Sequence, residues 1–196
     1  MEQANFYEEI LGLAKPWYVS SVELDVPGGE VHLVLEYHEG NWCCPECSSR
    51  APIYDHARER KWRHLDTCQL KTFLKAKLPR VECPACGIRQ VNIPWADPGV
   101  RFSHMMESSI IATLKECETV KGGAKLARIS WSAAMGLMQR AVSRGLARRD
   151  NSAGCRIGVD EKAYRKRHKY MTLVYDLEAS AVLFVGEERK KESLAA

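Results

Sequence analysis

The sequence lacks an apolar run of membrane-spanning length, and its N-terminus is acidic where a signal peptide would be basic and then apolar. These absences argue against a membrane-spanning or secreted protein, so we expect a cytoplasmic protein with no membrane partner. The 196 residues suffice for one large domain or for two to three small ones. The formal net charge is only +4, but basic residues cluster in segments 58–63, 71–80 and 140–169. Such clusters suggest a polyanionic partner, most simply nucleic acid, with ordinary solubility charge as the alternative.

In a reducing compartment, the eight cysteines indicate metal ligands and free thiols rather than disulfides. Four of them form two Cys-Pro-x-Cys pairs, Cys44 with Cys47 and Cys83 with Cys86. Two residues between thiolates allow a tight turn to direct both sulfurs at one ion, and two such pairs complete a tetrahedral site. The spacing therefore predicts a zinc ribbon with one structural Zn²⁺. Buried or redox-active cysteines are the alternative.

Three other potential ligands lie close to these pairs in the sequence. Cys43 is adjacent to Cys44 but breaks the spacing of the pair, so we expect it to lie outside the ligand set. His56 and His64 lie between the two pairs, but four cysteines already fill a tetrahedral shell. Both histidines are therefore predicted to be surface or packing residues.

Alternating apolar residues predict strands on both sides of the first cysteine pair. Residues 22–26 and 31–37 predict a hairpin that leads into the ribbon, and residues 61–66 and 71–82 predict the strands of the ribbon itself. One face of the last strand is cationic with a single aromatic residue, and it consists of Lys71, Phe73, Lys75 and Lys77. This face suits contact with phosphates and suits a plain solvated surface equally well.

Two flanking segments complete the first part of the chain. Residues 4–14 predict an amphipathic helix whose inward face consists of Phe6, Ile10, Leu13 and Ala14. Residues 90–103 lose all periodicity and contain prolines and a glycine. That composition predicts either a domain boundary or an ordered connector.

The apolar pattern then becomes helical from residue 108 to 143. One helix contains Ile110, a second short helix contains Ala124, and a third begins at Trp131 with Ser130 as its N-cap. Helix, short helix, tight turn and helix predict a helix-turn-helix motif, with a plain three-helix packing unit as the alternative. Arg128 occupies the turn position where glycine is usual, at a cost of about 1 kcal/mol if its φ is positive.

In a helix-turn-helix motif the third helix enters the major groove of DNA. The residues predicted to face outward there are Trp131, Ser132, Met135, Gly136, Gln139 and Arg140. Gln139 and Arg140 are able to read base edges through paired hydrogen bonds. The basic segment that follows, from Arg144 to Arg156, is predicted to be a linker that follows the DNA backbone.

The last part of the chain alternates with a period of two. Residues 156–161, 170–176 and 181–187 predict three antiparallel strands, with Asp160 near the end of the first. A three-stranded meander with one uncovered face is not expected to complete a fold, because that face needs helices and further strands to bury it. We therefore expect the sequence to be a fragment or a truncated product.

These features together resemble a known family. Two Cys-Pro-x-Cys pairs precede the segment PWADPGVRF at 94–102, a helix-turn-helix pattern and the segment GVDEK at 158–162, with Tyr170 and Asp176 beyond. This order resembles the bacterial insertion-sequence transposases that carry an N-terminal zinc ribbon, a helix-turn-helix and an RNase-H-like catalytic domain of the Asp-Asp-Glu type. The resemblance implies binding of double-stranded DNA at the terminal inverted repeats of a mobile element, action as a multimer, and DNA strand cutting and transfer.

The resemblance also implies roles for individual residues. Cys44, Cys47, Cys83 and Cys86 match the zinc ligands, and Asp160 matches the first catalytic aspartate. The second aspartate and the glutamate would lie beyond Ala196. Because two Mg²⁺ ions need several fixed carboxylates, Asp160 alone should not support catalysis, and we expect the chain as given to be inactive.

The sequence thus predicts an α+β protein in four parts. Residues 1–40 form a helix and hairpin, 41–103 the zinc ribbon and connector, 104–150 the helix-turn-helix, and 155–196 the start of an RNase-H-like sheet. The favoured interpretation is the N-terminal portion of an insertion-sequence transposase, which binds terminal inverted-repeat DNA but is catalytically incomplete. A stand-alone DNA-binding repressor or inhibitor of a full-length transposase is the alternative, followed by a protein-interaction platform with incidental charge.

Overall fold

The computed structural model describes residues 2–38, 40, 42–148, 156–165 and 169–187. It is a mixed α+β protein that divides into two compact units, Met1–Ser143 and Arg144–Ala196. The helices are α1 (Glu2–Leu11), α2 (His104–Glu116), α3 (Val120–Leu126) and α4 (Trp131–Ala147). The strands are β1 (Trp17–Asp25), β2 (Glu30–Tyr37), β3 (Trp42–Cys43), β4 (Arg50–Ala51), β5 (Ile53–His56), β6 (Arg60–Arg63), β7 (Lys71–Ala76), β8 (Pro79–Cys83), β9 (Gly87–Gln90), β10 (Ile157–Arg165), β11 (Lys169–Asp176) and β12 (Ala181–Glu187). Among the described residues, no helix has the length and apolar character needed to cross a membrane.

The main sheet of the first unit has four strands in the order β1-β2-β7-β6. The β1–β2 and β6–β7 pairs are antiparallel, whereas β2 and β7 run parallel. Parallel neighbours need a long connection, and here the chain between them contains the first cysteine pair. The hairpin predicted as a lead-in therefore provides half of the sheet that carries the ribbon's own strands.

The alternation predicted for residues 71–78 is present, but the strand does not continue to residue 82. Thr72, Leu74, Ala76 and Leu78 are all buried, and the cationic face lies on the other side of β7. The predicted single strand is instead two strands in two sheets, because β8 pairs with β5 and β9. Pro79 lies at the break, and its missing N–H cannot extend a hydrogen-bonded ladder.

Four tryptophans form the centre of this unit's core. Trp17 packs edge-to-face against Trp42 and Trp95, and Trp95 does the same with fully buried Trp62, with ring centroids 4.8–5.7 Å apart. Edge-to-face pairs of this kind stabilise a core beyond the area they bury. Because Trp95 of segment 90–103 packs into this core, and the same compact unit continues beyond the segment, the segment is an ordered connector and not a boundary between compact units.

The first helix is present, but its buried face differs from the predicted one. Phe6 and Ile10 are 56% and 48% exposed, and the helix packs instead through Ala4, Tyr7 and Leu11. The carboxylate of Glu8 accepts a hydrogen bond from the Val19 backbone N–H at 2.8 Å. This polar contact holds the Glu8 side of the helix against β1, and of the predicted face only Leu13 packs against the core.

The second unit contains an antiparallel meander in the order β10-β11-β12. The three predicted strands are present, and β10 is longer than expected, ending at Arg165. The predicted linker from Arg144 begins inside α4, since that helix continues to Ala147. Residues 149–155 of that linker, including Cys155, lie outside the described residues.

Candidate metal centre and nucleic-acid interface

The two cysteine pairs are held in similar turns. Each pair is followed by a residue in the left-handed region, Ser48 at φ +60° and Gly87 at φ +73°. In the first turn, the Ser48 N–H donates to the Cys44 carbonyl at 2.9 Å, and the Cys44 N–H donates to the Ser49 carbonyl at 2.8 Å. These turns curl the backbone so that both sulfurs of a pair point to the same side.

The turns bring all four thiols together. The Sγ atoms of Cys44, Cys47, Cys83 and Cys86 lie within 4.8 Å of one another, with Cys47 and Cys83 only 3.5 Å apart. Four sulfurs about 2.3 Å from a tetrahedral Zn²⁺ lie about 3.8 Å from each other, so the cluster has the dimensions of such a site. Cys44 and Cys83 are buried in the core, which ties the site to the tryptophan cluster.

The electrostatics of the cluster also favour a bound cation. Hydrogen bonds from Ser49, first from its side chain and then from its backbone, lower the pKa of Cys47 to about 6. The neighbouring Cys47 sulfur, followed by burial, raises the pKa of Cys86 to about 12. One thiolate therefore forms readily and opposes ionisation of the next. A divalent metal removes that conflict, because a coordinating thiol is deprotonated outright.

The other potential ligands lie outside the cluster, as predicted. Cys43 is exposed and absent from the group. His56 pairs with the Tyr37 hydroxyl at 2.5 Å, and buried His64 has its Nδ1 2.8 Å from the Ser103 hydroxyl. Ser103 in turn accepts a hydrogen bond from the Met106 N–H as the N-cap of α2. His64 thus links β6 to the start of the helical region.

His64 should make stability depend on pH. Burial, and then the positive charge of Arg63, lower the pKa of His64 from its usual 6.5 to about 4. Below pH 6.5 His64 is protonated in the unfolded chain but stays neutral in the folded chain. The free energy of unfolding therefore decreases as the pH falls toward 4. Between pH 7 and pH 5 the loss should be about 2 kcal/mol.

Urea unfolding at both pH values measures this loss. Because acid also weakens zinc binding, the informative quantity is the difference between the native chain and His64→Gln, whose amide does not titrate. An equally steep acid loss in both proteins would contradict the assignment to His64.

Three capped helices form the predicted helix-turn-helix. Ser103, Thr119 and Ser130 each accept a backbone N–H from the first turn of α2, α3 and α4 through the side-chain hydroxyl. Such caps satisfy donors that a helix start would otherwise leave unpaired. Gly123 is where α3 packs closely against α2, because a Cβ there would lie 2.7 Å from a methyl carbon of Leu114. The core between the helices consists of Met106, Ile110 and Leu137.

The turn of the motif contains a non-glycine residue, and its backbone lies in the left-handed region, the case that the sequence left open. Arg128 has φ +57°. Its guanidinium donates to the Asp66 carboxylate at 2.8 Å and to the Gln69 carbonyl at 2.7 Å. Asp66 also accepts from Arg63 of β6. The side chain of Arg128 therefore fastens the helix-turn-helix to the loop between β6 and β7, and this contact offsets the cost of its backbone conformation.

Two substitutions separate these opposing effects. Arg128→Ala loses both contacts and keeps the strained backbone, and should lower the unfolding free energy by about 1–2 kcal/mol. Arg128→Gly loses the same contacts but removes the strain, so it should be about 1 kcal/mol more stable than Arg128→Ala. Urea unfolding of the two variants measures the difference. Equal stability would show that the φ of residue 128 is not positive in solution.

The structure places the predicted DNA-contacting residues on α4 with different exposures. Trp131 is 57% exposed, Ser132 and Gln139 are exposed, and Met135 and Gly136 are half-buried. Arg144 is half-buried in the last turn of α4. The start of the helix thus presents an aromatic and a hydroxyl side chain to solvent, and its middle presents the amide of Gln139.

Arg140 is engaged within the protein. Its guanidinium donates to the carboxylate of Glu107 on α2, whose side chain is only 6% exposed. A buried carboxylate needs a cationic or hydrogen-bonding partner, so this pair holds α4 against α2. Sequence reasoning missed the pair because Glu107 lies 33 residues away and has no distinctive pattern around it. Gln139 is therefore the better placed of the two predicted base readers.

Asp160 lies on β10, opposite Leu173 of β11, and is exposed. Its carboxylate accepts the Glu161 N–H at 2.8 Å. Glu161 comes next in the strand and so points to the opposite face. Within the part of the chain that the structure describes, the four cysteines are the only group of three or more potential metal ligands, and Asp160 belongs to no such group.

A cluster of four thiols followed by a capped helix-turn-helix is typical of zinc-containing DNA-binding proteins, and comparisons with known families narrow that class. The zinc-finger model of transposases IS204/IS1001/IS1096/IS1165 matches residues 40–86, which include all four clustered cysteines. The helix-turn-helix model of transposase family ISL3 matches residues 91–142, and a transposase model matches residues 157–196. The chain belongs to the bacterial insertion-sequence transposases.

Individual relatives agree with these matches. The chain is 26% identical over 201 residues to the transposase for insertion sequence element IS1557 of Mycobacterium tuberculosis, covering 99% of this chain and 45% of that protein. It is 24% identical over 190 residues to the transposase for insertion sequence element IS1001 of Bordetella parapertussis, covering 96% of this chain and 47% of that protein. The chain spans about half the length of the curated relatives it matches. No solved structure matches it.

Proposed function

We propose that this chain binds double-stranded DNA at the ends of an insertion sequence. The observation that carries the proposal is the position of α4, whose exposed N-terminal residues follow a capped turn in a segment that matches a transposase helix-turn-helix. In such motifs the second helix of the pair enters the major groove with its N-terminal residues toward the bases. Gln139 and Trp131 are exposed on this helix and are assigned to DNA contact, together with Ser132, Met135, Arg140 and Arg144.

The four cysteines are proposed to hold one Zn²⁺ as a structural ion. Four thiolates fill a tetrahedral shell and leave no open position, which is typical of structural and not of catalytic zinc. Because thiolates must stay reduced to bind the ion, the protein would work in a reducing compartment such as the cytoplasm. The site acts on DNA binding through the fold, since it fixes the sheet that meets the helix-turn-helix at Asp66 and Arg128.

Binding can be tested by selecting preferred sequences from a randomised pool of DNA duplexes. Gln139→Ala should weaken binding to the selected sequence by about 1–3 kcal/mol and leave binding to unrelated duplexes nearly unchanged. Lys77→Ala, on an exposed position beyond the end of β7, is the control. If the chain binds no duplex at any salt concentration, the alternative that it is a protein-interaction platform with incidental charge becomes the better interpretation.

Asp160 is proposed as the first carboxylate of a Mg²⁺-dependent strand-transfer site. Two-metal phosphoryl transfer needs several carboxylates around two ions a few ångströms apart. Because Glu161 faces away from Asp160, a polypeptide of these 196 residues should neither cleave nor transfer DNA strands with Mg²⁺ or Mn²⁺. Reproducible cleavage that disappears in Asp160→Ala would contradict this expectation.

Two further points belong to the same proposal. Binding to paired element ends favours a homo-oligomer, which sedimentation of the DNA complex would detect. A regulatory role as a repressor or inhibitor is the second candidate function, because the ribbon and helix-turn-helix are arranged for DNA binding independently of Asp160. Inhibition of a full-length transposase by the 196-residue chain on the same DNA would favour that role.

A further inference from the structure

We propose that a cleft between the four-stranded sheet and the turn before α4 binds a backbone phosphate of the duplex that α4 contacts. The inference rests on the proposed function and adds a second DNA-contacting surface, supplied by β6, β7 and the connector. The sequence left open whether the cationic face of β7 contacts phosphate or is merely solvated. The structure provides three observations that favour phosphate at the end of this face that contains Lys71 and Phe73, and not at Lys77.

The first observation is the shape and lining of the cleft. It has a volume of about 510 Å³ and lies within the first compact unit. Five of its lining residues are cationic, and they come from β6, β7, the connector and the turn of the motif: Lys61, Arg63, Lys71, Arg101 and Arg128. No carboxylate lines it. Guanidinium and ammonium groups are the usual partners of phosphate oxygens.

The second observation is that these charges exceed the carboxylates that contact them. Lys61 pairs with Glu30 at 3.2 Å, and Arg63 and Arg128 share Asp66. Five cations against two carboxylates leave a surplus of three positive charges. Among the described residues, Lys71 and Arg101 form no ion pair, and they are half-buried and exposed respectively. These two side chains are the donors that remain available to an anion.

The cations that form ion pairs, Lys61 and Arg63 among them, are held in fixed positions beside Lys71 and Arg101. The Lys61 ammonium lies 3.6 Å from the centroid of the Phe73 ring on the cleft floor. The buried guanidinium of Arg63 donates to the carbonyls of His64 and Thr72 as well as to Asp66. Side chains that are already held in this way lose little conformational freedom when a ligand binds. Their positive charges therefore attract an anion at a small entropic cost.

The third observation is continuity with α4. Ser130 and Ala133, at the start of that helix, line the same cleft, and exposed Trp131 and Ser132 lie between them in the sequence. A duplex whose major groove receives the beginning of α4 must carry its backbone past the neighbouring surface. Phosphate contacts beside a recognition helix fix its register on DNA without reading sequence. The cleft is placed to make such a contact.

The salt dependence of DNA binding tests the proposal. The probe is a mixed-sequence duplex about three helical turns long, titrated with the full 196-residue chain at several salt concentrations. Each lost phosphate contact reduces the slope of log K against log salt by about 0.9, so Lys71→Ala/Arg101→Ala should reduce it by about 1.8. At 0.1 M salt this corresponds to roughly 60-fold weaker binding, falling to little difference near 1 M.

Three variants make the result specific. Lys77→Ala removes the same charge at the far end of the β7 segment and should leave the slope unchanged. Lys71→Arg/Arg101→Lys keeps both charges and should retain the slope of the native chain. Gln139→Ala should lower the preference for a selected sequence without altering the slope, whereas the cleft double variant should weaken binding to all duplexes equally.

The outcomes separate this inference from the proposed function. If the native chain binds duplex DNA and Gln139→Ala reduces its sequence preference, but the cleft double variant keeps the native slope, the inference is overturned and the proposed function stands. An equal loss of slope in Lys77→Ala would also overturn it, since the effect would then be general charge. Absence of any duplex binding by the native chain would reject the proposed function itself.

Discussion

Removal of zinc, or Cys83→Ser, should unfold the sheets of the first unit. Metal binding contributes about 10–16 kcal/mol in zinc-finger peptides, which matches or exceeds the 5–15 kcal/mol that typically holds a whole domain together. The positions of the cysteines in the sequence alone would confine the loss to about residues 40–90, while the 108–143 helices stay largely intact. The structure extends it to the β1–β2 hairpin, because Cys44 and Cys83 share one core with Trp17, Val31 and Leu33.

Hydrogen exchange measured by mass spectrometry, with and without a chelator, would map this loss. Protection should disappear from β1, β2, β6 and β7, while α2, α3 and α4 keep part of theirs through Met106, Ile110 and Leu137. Cys43→Ser is the matched control, since this neighbouring cysteine is exposed and outside the thiol cluster. Native protection of the sheets in metal-free protein, or absence of zinc from purified protein, would contradict the role of zinc in stabilising the first unit.

Two tryptophan substitutions should have opposite consequences. Trp95 is 6% exposed and packs against two other tryptophans, so Trp95→Ala should lower the unfolding free energy by about 3–5 kcal/mol. Its carbonyl also accepts the His104 N–H at 2.8 Å, so the start of α2 should loosen with it. Trp131 is 57% exposed, and Trp131→Ala should change stability by less than about 0.5 kcal/mol.

The two substitutions should affect DNA binding in the opposite order, when affinity is compared for the folded fraction of each protein. Trp131→Ala should weaken duplex binding in a fully folded protein, whereas Trp95→Ala should weaken it only in proportion to the unfolded fraction. Urea unfolding and fluorescence-anisotropy titration of the same preparations measure both properties. Strong destabilisation by Trp131→Ala, or normal stability of Trp95→Ala, would contradict the assignment of these two residues to surface and core.

Local patterns in the sequence predicted the parts that short-range chemistry determines. The thiol cluster follows from the spacing within each cysteine pair and the tight turn it requires. The inward positions of Ile110 and Ala124 follow from helical periodicity, and both residues are buried. The position of Arg128 in the turn follows from the same pattern, but the positive sign of its φ does not, and only the structure supplies it.

Features that depend on distant contacts were not predictable in this way. The inward side of α1 was predicted from apolar spacing, yet the hydrogen bond from Val19 to Glu8 selects another side. The division of residues 71–82 depends on which neighbouring strand each half pairs with. The pairing of Arg140 with Glu107 joins two helices, and only the tertiary structure reveals it.

The parallel neighbours β2 and β7 have a consequence for the order of folding. Their pairing cannot form until the chain between Tyr37 and Lys71 has been closed into a loop, and closure of long loops is slow and entropically costly. The first cysteine pair lies inside that loop, and the second begins at the end of β8, the strand that follows β7. Metal capture by both pairs would therefore restrict the loop in advance, so zinc should accelerate assembly of the sheet as well as maintain it.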